Sequence, residues 1–290
     1  MRKGLFEGCG VALVTPFRNG KLDTDAYERI LDRVIEAGVD ALVPGGTTGE
    51  PACLSEDEWK TVISLAVKKA DGKIPVIAGT GSNNTMQVIQ RAEIAKDLGA
   101  DAQLCVTPFY NKTTQQGLIM HYLTIADQSE LPVYVYNVPT RTAMDIEIST
   151  YREILQHENI IAVKDACGNM TKSLGAFSAC SDDAAFYSGE DQLAAPLRTL
   201  GYKGLISVTA NLIPEVIVKL CHAELYEAGS IQRDLFMLNY LMFCETSPAP
   251  IKAALSLLGI CENELRLPLV PIRDENMQLL KKEMKRLSIL

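Results

Sequence analysis

A lysine closes one of the chain's most apolar runs, Ile160-Ile161-Ala162-Val163-Lys164. Unbroken apolar character on both faces reads as a strand buried inside a parallel sheet. An amine at the end of such a strand sits where a low-dielectric surround favours its neutral form. A neutral amine on a rigid support is the group that forms a Schiff base with a keto substrate. The plainer reading is a lysine whose stem covers apolar surface while its head reaches water. Asp165 follows it and points to the opposite face of the strand, toward structure rather than chemistry.

Other short apolar runs end in residues that could serve the same reaction. Gly45-Gly46-Thr47-Thr48-Gly49-Glu50 offers backbone N–H groups and two hydroxyls, suited to a small anion such as a carboxylate, or simply makes a tight turn. Tyr136 is polar at the end of an apolar run, as a proton carrier or a satisfied core tyrosine. Arg141, just past Pro139, is a guanidinium fork for a carboxylate or an ordinary surface arginine. Thr107-Pro108-Phe109-Tyr110-Asn111 and Ser188-Gly189-Glu190 close two further runs. The chemical reading rests on their convergence on one face.

The elements that must position these groups are visible as an alternation. Candidate strands are Gly10–Phe17, Ala41–Pro44, Pro75–Ala78, Ala102–Pro108, Pro132–Val138, Ile160–Lys164, Ala184–Tyr187 and Gly204–Thr209. Segments such as Thr24–Ala37, Ser55–Ala70, Thr85–Leu98 and Gln115–Gln128 lie between them with apolar residues at helical spacing. Ser55 and Glu58 have capping-box spacing, and Gly38 and Gly99 fall where helices should stop. Eight strand–helix units predict an α/β fold, a (β/α)8 TIM barrel, whose catalytic groups gather at the strands' C-terminal ends. A doubly wound sheet usually needs a glycine-rich turn after its first strand, and this chain has Thr15-Pro16-Phe17 there. Past the last strand, Ile231–Cys244, Pro248–Leu258 and Asp274–Leu287 read as helices. The expected division is a catalytic barrel over residues 1–228 and a small C-terminal α-helical domain over 229–290.

The chain has 290 residues, 47% of them hydrophobic and 22% charged, which suits a folded globular protein. A net charge of -8 without a basic run argues against nucleic acid or an anionic membrane as partner. No apolar stretch is long enough to span a bilayer. Arg2 and Lys3 precede an apolar run, but Glu7 interrupts it, so no export signal is expected and a cytoplasmic setting is. The eight cysteines form no CxxC or Cys/His cluster, which predicts reduced thiols and neither a zinc site nor a disulfide framework. His121, His157 and His222 stand far apart, against a histidine-based centre.

The motifs GTTGE (46–50), IAGTGSN (77–83), VTPFYN (106–111), YNVPTRT (136–142), IAVKDACGN (161–169), SGED (188–191) and GLISVTAN (204–211) carry a resemblance over essentially the whole length. The chain resembles the dihydrodipicolinate synthase family, within the N-acetylneuraminate lyase superfamily of pyruvate-dependent class I aldolases. The resemblance implies that Lys164 forms an imine with pyruvate and that Thr47, Tyr136 and Tyr110 form a proton relay. It also implies that Tyr110 reaches in from a neighbouring subunit, in a homodimer or a homotetramer built as a dimer of dimers. Thr48 then binds the pyruvate carboxylate, Arg141 holds the carboxylate of aspartate 4-semialdehyde, and Gly189 and Ile206 line the lysine's surroundings. The imine acts as electron sink, so no metal and no organic cofactor is expected.

Two rivals remain. Another aldolase of the superfamily, such as an N-acetylneuraminate lyase or a keto-sugar-acid aldolase, shares the lysine and tyrosine. Arg141 favours a short substrate with a terminal carboxylate over a polyol. A keto-acid binder without turnover has no use for both nucleophile and proton carrier. Ala143 stands where many synthases have glycine. Glu56, Trp59, Gln87 and Phe109 match positions that sense lysine in inhibited members; Phe109 lacks a hydroxyl and Gln87 a charge. Weak or absent feedback inhibition is therefore expected, with interface packing as the other reading of these positions.

Overall fold

The computed structural model describes residues 4–290. Eight parallel strands form the barrel: β1 Gly8–Ala12, β2 Ala41–Val43, β3 Ile77–Gly79, β4 Ala102–Val106, β5 Val133–Asn137, β6 Ile160–Asp165, β7 Ala185–Ser188 and β8 Gly204–Ser207. Each pairs in parallel with its neighbour, and β8 returns to β1. Between β2 and β3 the ladder thins to the single bridge Leu42–Val76, supported by N–H···O bonds from Leu42 to Pro75 at 3.0 Å and from Gly79 to Pro44 at 2.9 Å.

Helices α1 Thr24–Glu36, α2 Glu56–Ala70, α3 Thr85–Asp97, α4 Gln115–Gln128, α5 Ile148–Ile154, α6 Met170–Cys180, α7 Ala194–Leu200 and α8 Pro214–His222 follow the strands in turn. Their starts are set by side-chain caps from Asp23, Ser55, Asn84, Thr114 and Asn169. Ser55 and Glu58 form the expected capping box. Gly38 and Gly99 take left-handed φ values of 80° and 92°, ending α1 and α3 as glycine can.

Two expected elements differ by more than two residues at a boundary. The first strand pairs only over Gly8–Ala12, and Phe17 instead opens a short antiparallel hairpin, Phe17–Arg18 against Lys21–Leu22. Pro16, which lacks an N–H, separates the two ladders. The helix expected over Ile231–Cys244 is two helices, α9 Leu225–Asp234 and α10 Phe236–Leu241, meeting at Leu235. The turn brings the side chains of Gln232 and Asn239 together on the carbonyl of Asp191, at 2.9 and 3.3 Å. α11 Ala249–Leu257 and α12 Asp274–Arg286 complete the chain close to their expected positions.

The barrel interior is filled by Ala12, Val43, Ile77, Leu104, Tyr134, Ala162, Tyr187 and Ile206. Its N-terminal end is plugged by Phe6, whose ring stacks on Tyr187 with centroids 4.4 Å apart. The Tyr187 hydroxyl donates to the Phe6 carbonyl at 2.5 Å, and Leu5 N–H donates to the Tyr134 hydroxyl at 2.9 Å. With that end sealed, only the C-terminal face of the strands is left to admit a substrate. The outer layer is continuous with the C-terminal helices, since Leu235, Leu238, Ile251 and Leu280 share one buried cluster with Leu13, Leu31 and Leu205.

Candidate active site

Lys164 is the penultimate residue of β6, with Tyr136 of β5 beside it in register and Tyr187 of β7 on its other side. Strand pairing therefore fixes the amine and the phenol relative to each other. The Lys164 Nζ lies 4.3 Å from the centre of the Tyr136 ring, and the lysine is only 5% exposed. Burial lowers its pKa to about 8, against the opposing pull of Asp191 and Glu190 and with some help from Arg141. Asp165 faces the helices as expected: its carboxylate accepts from Ser173 at 2.6 Å, from Tyr202 at 3.0 Å and from the Cys167 N–H at 3.0 Å.

Tyr136 is buried, and burial pushes its phenol up to about 12, tempered by Arg141 and by a hydrogen bond with Thr47. It therefore keeps its proton at neutral pH and is not a standing base. Thr47–Gly49 form one tight helical turn after β2, with Thr48 buried. The turn fits because Gly79, at the end of β3, presses against it: a Cβ there would lie 2.2 Å from the Gly45 carbonyl oxygen. Gly189 does the same for Lys164, since a Cβ would sit 3.0 Å from its Cε and 2.8 Å from Ala166 Cβ.

Arg141 lies on a single helical turn, Pro139–Thr142, and donates to the Ser247 carbonyl at 3.1 Å. Ala143 ends that turn at φ 51°, in the left-handed region that glycine enters freely. A methyl is therefore accommodated at a position shaped for glycine.

Two openings on this face share Thr47, Tyr136, Val138, Arg141 and Ser247. The cavity holding Lys164 measures about 660 Å³ and is also lined by Thr48, Gly189, Glu190 and Val208. Its neighbour of about 490 Å³ reaches Gln87, Arg91 and Phe109. Of the residues named from the sequence, Lys164, Tyr136, Thr47, Thr48, Arg141 and Gly189 meet at the first cavity. Ile206 packs in the barrel interior, in the same cluster as Tyr136, and does not line either opening. Tyr110, 91% exposed at φ 67°, lies outside both cavities of its own chain. Trp59 is a core residue whose indole donates to the Gly79 carbonyl at 3.0 Å, and Glu56 pairs with Lys60 at 2.7 Å.

Sequence reasoning missed the acids behind the lysine. Glu190 lines the cavity, and burial, then Asp191, raises its carboxyl to about 7. Asp191 is fully buried and accepts from Ser207 Oγ and from the Val208 N–H at 3.0 Å. The SGED motif carried both residues, but nothing in its composition distinguished a buried acid from a helix cap. The stretch Phe243–Ser247, which walls the cavity from the C-terminal helices, carried no sign of a site in the sequence.

The profile of the Dihydrodipicolinate synthetase family matches residues 5–287. The chain belongs to this family. Members of the dihydrodipicolinate synthetase family are Schiff-base-forming lyases of the class I aldolase type, which agrees with a buried amine facing a tyrosine. The 4-hydroxy-tetrahydrodipicolinate synthase of Alkaliphilus oremlandii is 44% identical over 99% of this chain and 100% of its own length. The synthase of Geobacter sp. is 41% identical over 99% and 100%. Among solved structures, the dihydrodipicolinate synthase of Thermotoga maritima superposes with a TM-score of 0.96 at 39% identity, covering 99% of this chain and 100% of that one. The Acinetobacter baumannii enzyme, solved with pyruvate, has a TM-score of 0.96 at 39% identity over 98% and 99%.

Proposed function

We propose that this chain condenses pyruvate with L-aspartate 4-semialdehyde to 4-hydroxy-tetrahydrodipicolinate, the step its full-length relatives are named for. The observation that carries the reading is Lys164: a buried, weakened amine held over the ring of Tyr136, at a cavity that also holds Thr47, Thr48 and Arg141.

The Lys164 amine adds to the C2 carbonyl of pyruvate and water leaves, giving the imine. Thr48 and the N–H groups of its turn seat the pyruvate carboxylate. A proton leaves the methyl group and the electron pair moves into the imine, forming an enamine. The enamine carbon attacks the aldehyde of the second substrate, and the new alkoxide takes a proton through Tyr136 and Thr47. The substrate's own amine then displaces Lys164 by transimination, closing the ring and freeing the enzyme. Arg141 holds the carboxylate of the aldehyde, its guanidinium braced by the Ser247 carbonyl. Tyr110 completes the relay from a second copy of the chain, in a dimer or a dimer of dimers. Residues 1–228 carry the chemistry and 229–290 wall and brace the site, in a cytoplasmic enzyme; no helix among the described residues is long and apolar enough to cross a membrane.

A coupled assay tests the substrate assignment. Turnover is expected with pyruvate and aspartate semialdehyde and not with pyruvate and N-acetylmannosamine. The reverse pattern would make the chain a sugar-acid aldolase.

A further inference from the structure

The turn that seats the pyruvate carboxylate is tied to the C-terminal helices through a pair the mechanism does not use. Glu50 ends the Thr47–Gly49 turn, donating its N–H to the Thr47 carbonyl at 3.1 Å. It does so at φ 53°, a conformation that costs energy for any residue with a Cβ. Such a backbone persists only where its surroundings hold it. Here the side chain supplies the hold: one carboxylate oxygen takes the Lys252 ammonium at 2.5 Å and the other takes the Arg266 N–H at 3.2 Å.

Both side chains of the pair are wholly buried. Lys252, on α11, is held in turn by the Glu264 carbonyl at 2.9 Å and by the face of Phe17, 4.1 Å from its ring centre. The Arg266 guanidinium lies against the same ring at 4.2 Å and grips Glu58, the capping residue of α2, with two bonds of 2.6 Å. A buried ion pair is weak evidence for stability, because desolvation offsets its attraction. Its directional bonds nonetheless fix geometry, and the geometry fixed here is that of the threonine turn.

We propose that Lys252 is a positioning residue for the keto acid, acting through Glu50 to hold Thr47 and Thr48 in the conformation that receives the carboxylate. The inference rests on the reading of that turn as the pyruvate seat. Its consequence is a specific one: loosening the pair weakens pyruvate and leaves the aldehyde site, built on Arg141 and Ser247, largely untouched.

The test measures the pyruvate concentration that half-saturates borohydride trapping on Lys164, and the aldehyde KM in the coupled assay, in the parent, in Lys252→Met, and in the double variant Glu50→Gln with Lys252→Met. Thermal unfolding is recorded for each. The double variant leaves no charge buried alone, so it remains assessable where Lys252→Met by itself does not fold. The expected result is a folded double variant whose half-saturating pyruvate concentration rises about tenfold, with the aldehyde KM changed less than about twofold. A folded double variant with the parent's half-saturation overturns the proposal. So does an equal rise for both substrates, which marks general loosening, and so does a double variant that cannot fold. If the parent itself gives no adduct at any pyruvate concentration, the pyruvate-seat reading fails and takes the inference with it.

Discussion

Near the end of β6, Lys164, the nucleophile on our proposal, has its pKa set by a contest between burial and two neighbouring acids. Burial wins, and the amine sits at about 8 rather than 10.5. At pH 7 about a tenth of such amines are neutral, against roughly one in three thousand for an unperturbed lysine. Because the neutral form is the nucleophile, the rate of imine formation must rise with pH until the amine is mostly deprotonated. Trapping timed aliquots with borohydride at limiting pyruvate should therefore show a rate rising roughly tenfold per pH unit and levelling above about pH 8. A rate still climbing beyond about pH 10 would show that burial does not depress this amine. Tyr136 moves the other way, up to about 12, and so keeps its proton through the same range.

Element by element, the barrel was legible because each strand is a short apolar run and five of its helices open on a capping side chain. The face of the candidate site was legible for the same reason: Lys164, Tyr136 and the threonine turn each break an apolar pattern at its C-terminal end, and they line one cavity. Local pattern says nothing about contacts made across the chain. Glu50 and Lys252 are 202 residues apart, and neither residue signals the other. The split at Leu235 was hidden because its apolar spacing continues through both α9 and α10, and the turn is chosen by the carbonyl of Asp191 that Gln232 and Asn239 must reach. Ile206, which the resemblance puts among the lysine's surroundings, packs in the interior layer with Tyr136, Ala162 and Ala166.

For the whole molecule, Tyr110 is the residue that a single chain leaves unused. It is exposed, fixed by a left-handed backbone, and follows Phe109, which lines the second opening. On our proposal it serves the relay of a partner subunit. Mixing a Tyr110→Phe chain with a Lys164→Ala chain, each inactive alone, should restore about a quarter of parental activity, since half of randomly paired dimers are mixed and each then holds one complete site. No recovery in demonstrably mixed dimers would place the relay within one chain. Every part of the account nonetheless depends on one covalent bond. The most direct test is peptide mapping by mass spectrometry after incubation with pyruvate and borohydride. The account predicts one reduced pyruvate adduct, on Lys164, and none in Lys164→Arg; an adduct on another lysine, or turnover by Lys164→Arg at the parental rate, would contradict it.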